Sequence, residues 1–551
     1  MVKPYDAVVD QGSAETTASP ARPGMLRSNV TVAVGTALSR ITGLIRIVVF
    51  SVIIGQTALA DAYDGANNSP NAIYELLLGG VLSASLVPLF TKHVEEDDDD
   101  ATTAVVTVAV LALTAITALA ILAAPWIFHL FSIHPPHTVD AGQYRKVGTA
   151  LSRIFLIQIF FYGLSAIGAA LLNARRRFFA AAWAPVLSNV VIIASLLLIP
   201  AMVGHNTLQL SEVLTNDRLR YTLGLGATIG ISVMALALWP ALKAAQVPMR
   251  FNTNFRHPAV KKLLQLSGWT LGYVIANQVA VIVVKNLALG SGEGHQTAYT
   301  AAFTFFLLPH GLLAVSIATT FVPELARFVT RRDKAAFIDR ASLGIRMVAL
   351  LTLPAGLGLF VLRRSIIGGI LQHGQLTAAQ ALTTSRALGG FALGLVGFSL
   401  YLFVLRGFYA HQDARTPFII NLFENALNIV LAWILVGRYG VLGLGLSFAI
   451  AYLLSAALAM LVLSYKVQGF ELEPIYASLW RMTLAAVIMA EVVWWVSAQV
   501  GTNTGGGAMV RTVVGMIVGA SVYTAVLLIL RAPELDLLRK RLAPAKPESV
   551  R

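Results

Sequence analysis

The sequence predicts an all-α integral membrane protein of about fourteen transmembrane helices, arranged as two six-helix lobes related by a repeat plus a C-terminal helix pair. Three observations carry this expectation. The 551 residues are 57% hydrophobic and only 12% charged, with a mean hydropathy of +0.73, the composition of a chain whose main solvent is lipid. Crossing roughly 30 Å of hydrocarbon takes about 20 apolar residues as a helix, and stretches of that length recur from Val30 to Leu530. Short motifs also recur at a nearly constant offset.

Taken in order, a polar tail at 1–28 precedes an N-lobe at 29–246, with spans expected at 29–55, 70–91, 102–131, 147–172, 178–203 and 222–246. No short apolar run with a small-residue cleavage site precedes the first span, so no removable signal peptide is expected. A basic linker at 247–262, running through Pro258, leads to a C-lobe at 263–465 with spans at 263–290, 297–326, 341–362, 385–411, 416–437 and 440–465. An extra pair, 475–499 and 508–530, and a basic tail, 531–551, complete the chain.

The repeat supports the two-lobe division. Val87-Pro88 ends the second span and Val322-Pro323 the eighth, an offset of 323 − 88 = 235. Asn173 to Arg177 precedes Asn189 between the fourth and fifth spans, and Ala410 to Arg415 precedes Asn428 between the tenth and eleventh, with 428 − 189 = 239. Transporters commonly hold their substrate at the interface of such repeats, near the bilayer midplane.

The formal charge of +14 is explained by orientation and by anionic lipid headgroups rather than by nucleic acid. With the N-terminus inside, 27 of the 41 basic residues fall on inner segments and nine on outer ones, the bias of the positive-inside rule, which places both termini in the cytoplasm. The acidic run Glu95 to Asp100 falls in an inner loop and reads as a solvated spacer, because adjacent carboxylates lack the alternation of a metal loop. Cysteine is absent. There is no phosphate-binding glycine loop, His/Glu metal motif or serine-nucleophile elbow, so neither an enzyme nor a bound metal or cofactor is expected.

Five basic residues, Arg40, Arg46, Arg153, Lys285 and Arg346, fall inside apolar segments. Arg40 stands roughly 16 Å and Arg46 roughly 25 Å above the start of the first span. Holding an arginine at mid-bilayer costs about 2.5–3.5 kcal/mol on insertion scales, so each must face protein or a watery cavity. Six residues at about 100° each separate them by roughly 120°, which lets both border one wide cavity. The planar guanidinium suits bidentate phosphate contacts, so such a cavity fits an anionic substrate. The competing reading is an internal ion pair with Asp61, Asp64 or Glu75.

Lys285 lies near the outer end of the seventh span, where snorkelling to the surface competes with a cavity role. Asn277 and Gln278 lie deeper. In the eleventh span, Glu424 with Asn428 and Asn421 with Asn425 share faces at i,i+4. Their oxygens suit either a monovalent cation or interhelical hydrogen bonds. Glu491 has no obvious partner in the sequence. Gly79-Gly80 and Ser83-Ala84-Ser85 offer small surfaces for close helix approach, and Pro70, Pro88, Pro309 and Pro323 can bend helices.

The stretch Ser39-Arg40-Ile41-Thr42-Gly43-Leu44-Ile45-Arg46, followed by Ala60-Asp61-Ala62-Tyr63, Pro70-Asn71 and Val87-Pro88, resembles the start of the MurJ/MviN lipid II flippases of the multidrug/oligosaccharidyl-lipid/polysaccharide exporter superfamily. Similar matches continue at Leu172-Asn173 with Phe178, Ala184-Pro185 and Asn189, at His373-Gly374, and at Gly407-Phe408-Tyr409 with Gln412-Asp413 and Arg415-Thr416-Pro417, so the resemblance runs from about residue 29 to 530.

The resemblance implies fourteen helices around a cationic central cavity, alternating access that carries lipid II from the inner to the outer leaflet of the cytoplasmic membrane, and a lipid-tail groove on the last two helices. It also implies functional positions at Arg40, Arg46 and Asp61. Where better-known members carry arginines in the second and eighth helices this chain has Tyr74, with Glu75 beside it, and Thr304, which leaves the cavity less cationic. These departures, with the wording Tyr74-Glu75-Leu76-Leu77-Leu78-Gly79-Gly80, resemble the actinobacterial branch. The substrate contacts expected are therefore Arg40, Arg46, Asp61, Tyr74, Glu75, Asn277, Gln278 and Thr304. The expected partners are lipid II, membrane lipids and other cell-wall synthesis proteins, with no nucleic acid. The sequence does not give the energy source, and dependence on the membrane potential or on a monovalent cation stays open. Alternatives are export of another lipid-linked glycan or a cationic drug, and a non-transporting scaffold for cell-wall enzymes.

Overall fold

The computed structural model describes residues 23–77, 83–203, 208–248, 250–252 and 268–535. The tail up to residue 22, Gly79-Gly80, the linker at 253–262 with Pro258, and the basic tail from 536 lie outside the described residues.

The first half comprises α1 (Pro23–Ile54), α2 (Ala58–Leu77), α3 (Ser83–Glu95), α4 (Asp99–Leu122), α5 (Ala124–Leu130), α6 (Ala141–Phe155), α7 (Gln158–Ala174), α8 (Phe179–Leu197), α9 (Ile199–Val203), α10 (Glu212–Thr215), α11 (Asp217–Leu236) and α12 (Trp239–Ala244). The second comprises α13 (Gly268–Ser291), α14 (His295–Pro309), a π-helical turn at His310–Ala314, α15 (Val315–Thr330), α16 (Lys334–Ile370), α17 (Ala378–Leu393), α18 (Leu395–Ala410), α19 (Arg415–Tyr439) and α20 (Val441–Lys466). The final pair is α21 (Glu473–Gln499) and α22 (Gly505–Ile529).

Among the described residues twelve helices are long and apolar enough to cross a membrane, and the pair α17–α18, bent by 46°, makes a thirteenth. The expected second span falls on α2 and α3, which flank residues 78–82. Large apolar side chains such as Leu122, Trp433, Trp480 and Trp494 stand exposed on the outer helix faces. That placement is stable only where the surroundings are lipid.

The repeat is visible in backbone detail. Asp97 and Arg332 both adopt positive φ (54° and 55°) at the end of a helix. The next residues, Asp98 and Asp333, cap α4 and α16 by accepting from the N–H of Ala101 (2.8 Å) and Ala336 (3.0 Å). The offset is 333 − 98 = 235. Arg176 (φ 56°) and Gln412 (φ 58°) repeat a second turn, with 412 − 176 = 236, each followed by an N–H bonded back five residues, Arg177 to Leu172 and Asp413 to Phe408. Such αL turns satisfy the orphan carbonyls at a helix end. The acidic run is thus a helix start: Asp98 is the cap and Asp99 and Asp100 occupy the first turn of α4, where negative charge complements the helix dipole.

Helix pairing repeats as well. In the first half α8 packs on α1, α6 on α2 and α11 on α8; in the second α19 packs on α13, α17 on α14 and α20 on α19. The kinked α17–α18 lies close against α20. A Cβ on Gly390 would stand 2.7 Å from Gly445, and one on Gly394 would stand 2.7 Å from the Ala449 backbone. Small residues at this spacing allow the backbone contact that drives helix association in lipid. The pair α21–α22 packs against α16. The end that carries the C-terminus is pinned by Glu534, which accepts from Arg346 Nη1 (3.2 Å) and Ser478 Oγ (2.7 Å).

Candidate functional site

A cavity of ≈ 200 Å³ lies between the two halves. Its first-lobe wall is built by α1 (Arg46, Phe50, Ser51), α2 (Tyr63, Asp64, Asn67, Asn68, Asn71), α7 (Gln158, Tyr162) and apolar residues of α8 and α11. The facing wall is α14, with Thr297, Thr300, Ala301 and Thr304. Among the described residues, Arg46 is the only basic one in this lining. The polar face of α2 follows helical spacing, since positions 64, 67, 68 and 71 recur every three or four residues.

On the side that the charge asymmetry assigns to the outside, the halves are joined by hydrogen bonds. Asp61, fully buried, accepts from the N–H of Gly294 (2.7 Å) and from both the N–H (2.9 Å) and the hydroxyl (2.7 Å) of Thr297. It therefore supplies the negative charge at the N-terminus of α14, where unpaired N–H groups collect. Gly294 has φ +76°, and a Cβ there would stand 2.2 Å from the carbonyl oxygen of Gln56, so the turn requires glycine. Gln56 in turn donates to Thr384 and accepts from Gln380 Nε2 (2.7 Å). Gln375 N–H donates to the Val52 carbonyl (2.9 Å), and Ala58 N–H donates to Glu293 (3.0 Å).

The two arginines of the first span go to different places. Arg46 is half-buried on the cavity wall. Arg40 reaches across to the π-helical turn, where a Cβ on Gly311 would lie 2.1 Å from its Nη1. Neither forms an ion pair among the described residues, because the carboxylates available in sequence are placed elsewhere. Asp61 holds α14, Asp64 pairs with Lys285 (2.8 Å), and Glu75 is exposed. Asn189 braces this part of α1 by donating to the Ser39 carbonyl (3.2 Å) and the Thr42 hydroxyl (3.0 Å).

Lys285 does not snorkel. It is 6% exposed, because Asp64 offers a carboxylate within reach at lower cost than an extended path to water. Thr304 lines the cavity and donates to the Thr300 carbonyl (3.1 Å). Tyr74 lies against Tyr162 with ring centroids 4.8 Å apart and planes tilted by 38°, so this position is filled by a ring packed behind the wall. Asn277 lies away from the cavity lining and accepts from Asn421 (3.1 Å) and Asn425 (3.0 Å), with Gln278 half-buried beside it.

Asn421, Glu424, Asn425 and Asn428 are all buried, at 0, 1, 6 and 7% exposure. Asn428 accepts from Ser447 on α20 (3.0 Å). Glu424 has no ion-pair partner among the described residues. Glu491 is exposed on α21. Sequence reasoning missed Gln56, Glu293, Gln296, Thr297, Thr300 and Tyr162; the polar spacing along α2 was the signal available for its asparagines, whereas Gln56, Glu293, Gln296, Thr297 and Thr300 act through contacts across the lobes and Tyr162 through the packing of α7 on the cavity.

A family model described as "Lipid II flippase MurJ" matches residues 50–515. The chain belongs to the MurJ family. Among similar proteins, the probable lipid II flippase MurJ of Vibrio cholerae serotype O1 is 29% identical over 533 residues, covering 92% of this chain and 96% of the relative. The lipid II flippase MurJ of Burkholderia cenocepacia is 27% identical over 481 residues, covering 86% and 90%. A solved structure of lipid II flippase MurJ in an inward closed conformation matches with a TM-score of 0.75 at 24% identity, covering 92% of this chain and all of that one. An inward-facing MATE-family multidrug transporter of the MOP superfamily matches with a TM-score of 0.64 at 14% identity, covering 80% and 98%. These structures share the two-lobe MurJ fold described above.

Proposed function

We propose that this MurJ-family chain translocates lipid II from the inner to the outer leaflet of the cytoplasmic membrane by alternating access, with both termini in the cytoplasm. The observation that carries this reading is a cavity between two repeat-related lobes that bears the unpaired Arg46 on its wall and is sealed by Asp61, Gln56 and Glu293 on the outer side. The diphosphate enters from the cytoplasmic side and meets Arg46, whose fork suits two phosphate oxygens. Thr300 and Thr304 offer hydroxyls on the facing wall. Rocking of the lobes then breaks the outer contacts and re-exposes the headgroup outside. Arg40, against the C-lobe turn, links the first helix to that motion.

A buried carboxylate without a basic partner is stable only when protonated or balanced by a cation. Glu424 and the amides around it therefore serve as the site where a proton or monovalent cation drives the cycle. The decisive experiment is leaflet-resolved accessibility of labelled lipid II in proteoliposomes, with and without an imposed potential. Movement of label that depends on the protein supports the proposal, and no movement above protein-free vesicles overturns it. Export of a cationic drug is disfavoured because the cavity carboxylate, Asp64, is already neutralised by Lys285.

A further inference from the structure

Lys285 of α13 and Asp64 of α2 belong to different lobes, and their ion pair is nearly dry, with side chains 8% and 15% exposed. The Asp64 oxygen that meets Lys285 at 2.8 Å also accepts from Gln296 Nε2 (2.9 Å) and Thr300 Oγ1 (3.1 Å), both on α14. All three partners come from the C-lobe. Asp64 lines the cavity and Lys285 does not, so the carboxylate stands between the ammonium and the space where an anion would sit. With the pair closed, the two charges cancel and Arg46 sets the sign of the cavity. Arg46 and Asp64 share the first-lobe wall, so any movement that parts the lobes takes Asp64 away from its partners and leaves a bare carboxylate beside Arg46.

From this geometry we infer that Asp64 and Lys285 form a charge switch that couples opening of the outer side to release of the anion. Closed, the pair holds the lobes together and hides the carboxylate, so an anionic diphosphate binds. Opened, Asp64 competes for Arg46 and repels the diphosphate, so affinity falls when the exit appears. Lys285 is thus a positioning residue that acts through Asp64, and the release half of the inference rests on the lipid II reading given above.

The native chain has no cysteine, so a single Thr304→Cys reports on the cavity without background. In right-side-out vesicles, a membrane-impermeant maleimide labels this cysteine from outside only when the outer contacts part. Adding Lys285→Met or Asp64→Asn raises the labelling rate about tenfold; an unchanged rate in both overturns the inference. Binding of undecaprenyl diphosphate in nanodiscs is the second readout. Lys285→Met weakens it about tenfold, because Asp64 is left uncancelled. Asp64→Asn binds as tightly as the parent or tighter, and the double substitution recovers parental affinity. A double variant as weak as Lys285→Met overturns the switch. A parent chain that binds no diphosphate lipid, with labelling that still responds to the substitutions, removes the lipid II reading and leaves the interlobe latch standing. The double substitution leaves no buried charge unpaired, so it also raises outside labelling and tests the latch if either single variant fails to insert.

Discussion

Asp61 of α2 accepts both the backbone N–H and the hydroxyl of Thr297 on α14, at 2.9 and 2.7 Å, across the boundary between the two lobes. One carboxylate thereby terminates a helix of the other half. Asp61→Asn keeps the shape but removes the charge that complements the helix N-terminus. The expected loss is about 1–2 kcal/mol, measurable as earlier thermal unfolding in detergent, together with faster outside labelling of Thr304→Cys. Unchanged stability and labelling would show that the contact does not hold the outer side closed.

Arg46 is the cavity's basic side chain, so its substitution separates charge from geometry. Arg46→Glu is expected to abolish lipid II movement and complementation of a flippase-depleted cell while membrane insertion persists. Arg46→Lys keeps the charge but loses the two-pronged contact, and a partial loss of about tenfold is expected. Normal growth of the Arg46→Glu strain contradicts the proposal.

Arg40 lies where only a glycine leaves room. A methyl at Gly311 would fall 2.1 Å from Arg40 Nη1, so Gly311→Ala pushes the guanidinium off the π-helical turn without touching the cavity. Transport is expected to fall as it does in Arg40→Ala, and the double variant should be no worse than either single one. Additive losses would place the two residues in separate roles.

Glu424 offers a test of the driving ion. Glu424→Gln removes the buried charge while keeping the volume, so it is expected to insert and fold at least as well as the parent. Transport by this variant should no longer respond to an imposed proton or sodium gradient. A retained gradient response assigns energy coupling elsewhere.

The connection between α18 and α19 carries a measurable pH signature. Burial alone raises the Asp413 carboxyl, but hydrogen bonds from Lys466 and from Thr416 outweigh it and hold it at about 2, below the ordinary 3.8. The stabilisation is therefore complete above about 3.8 and disappears as pH falls toward about 2. Between these values Asp413→Asn should lose less stability than the parent, as read by acid-induced unfolding. Identical acid profiles would show that the Lys466 contact contributes nothing in solution.

Much of the architecture was legible because lipid imposes one-dimensional rules. Span length and the repeat offset of 235 follow from hydrocarbon thickness and from a duplicated backbone, and the capped turns at Asp98 and Asp333 reproduce that offset in three dimensions. The arginines of the first span were visible as residues too costly to face lipid.

What the sequence could not decide was the partner of each buried charge. Asp61, Asp64 and Glu75 all lie within 35 residues of the arginines along the chain, yet Asp61 holds Thr297 and Asp64 holds Lys285, 236 and 221 residues away. Arg40 and Arg46 lie on one helix, yet one meets Gly311 and the other faces the cavity. The amino-acid sequence determined that charges would be buried and which helices would carry them. Tertiary packing decided their partners, because a desolvated charge is stabilised by whichever group the facing helix brings within hydrogen-bond distance, and that register exists only once the two lobes meet.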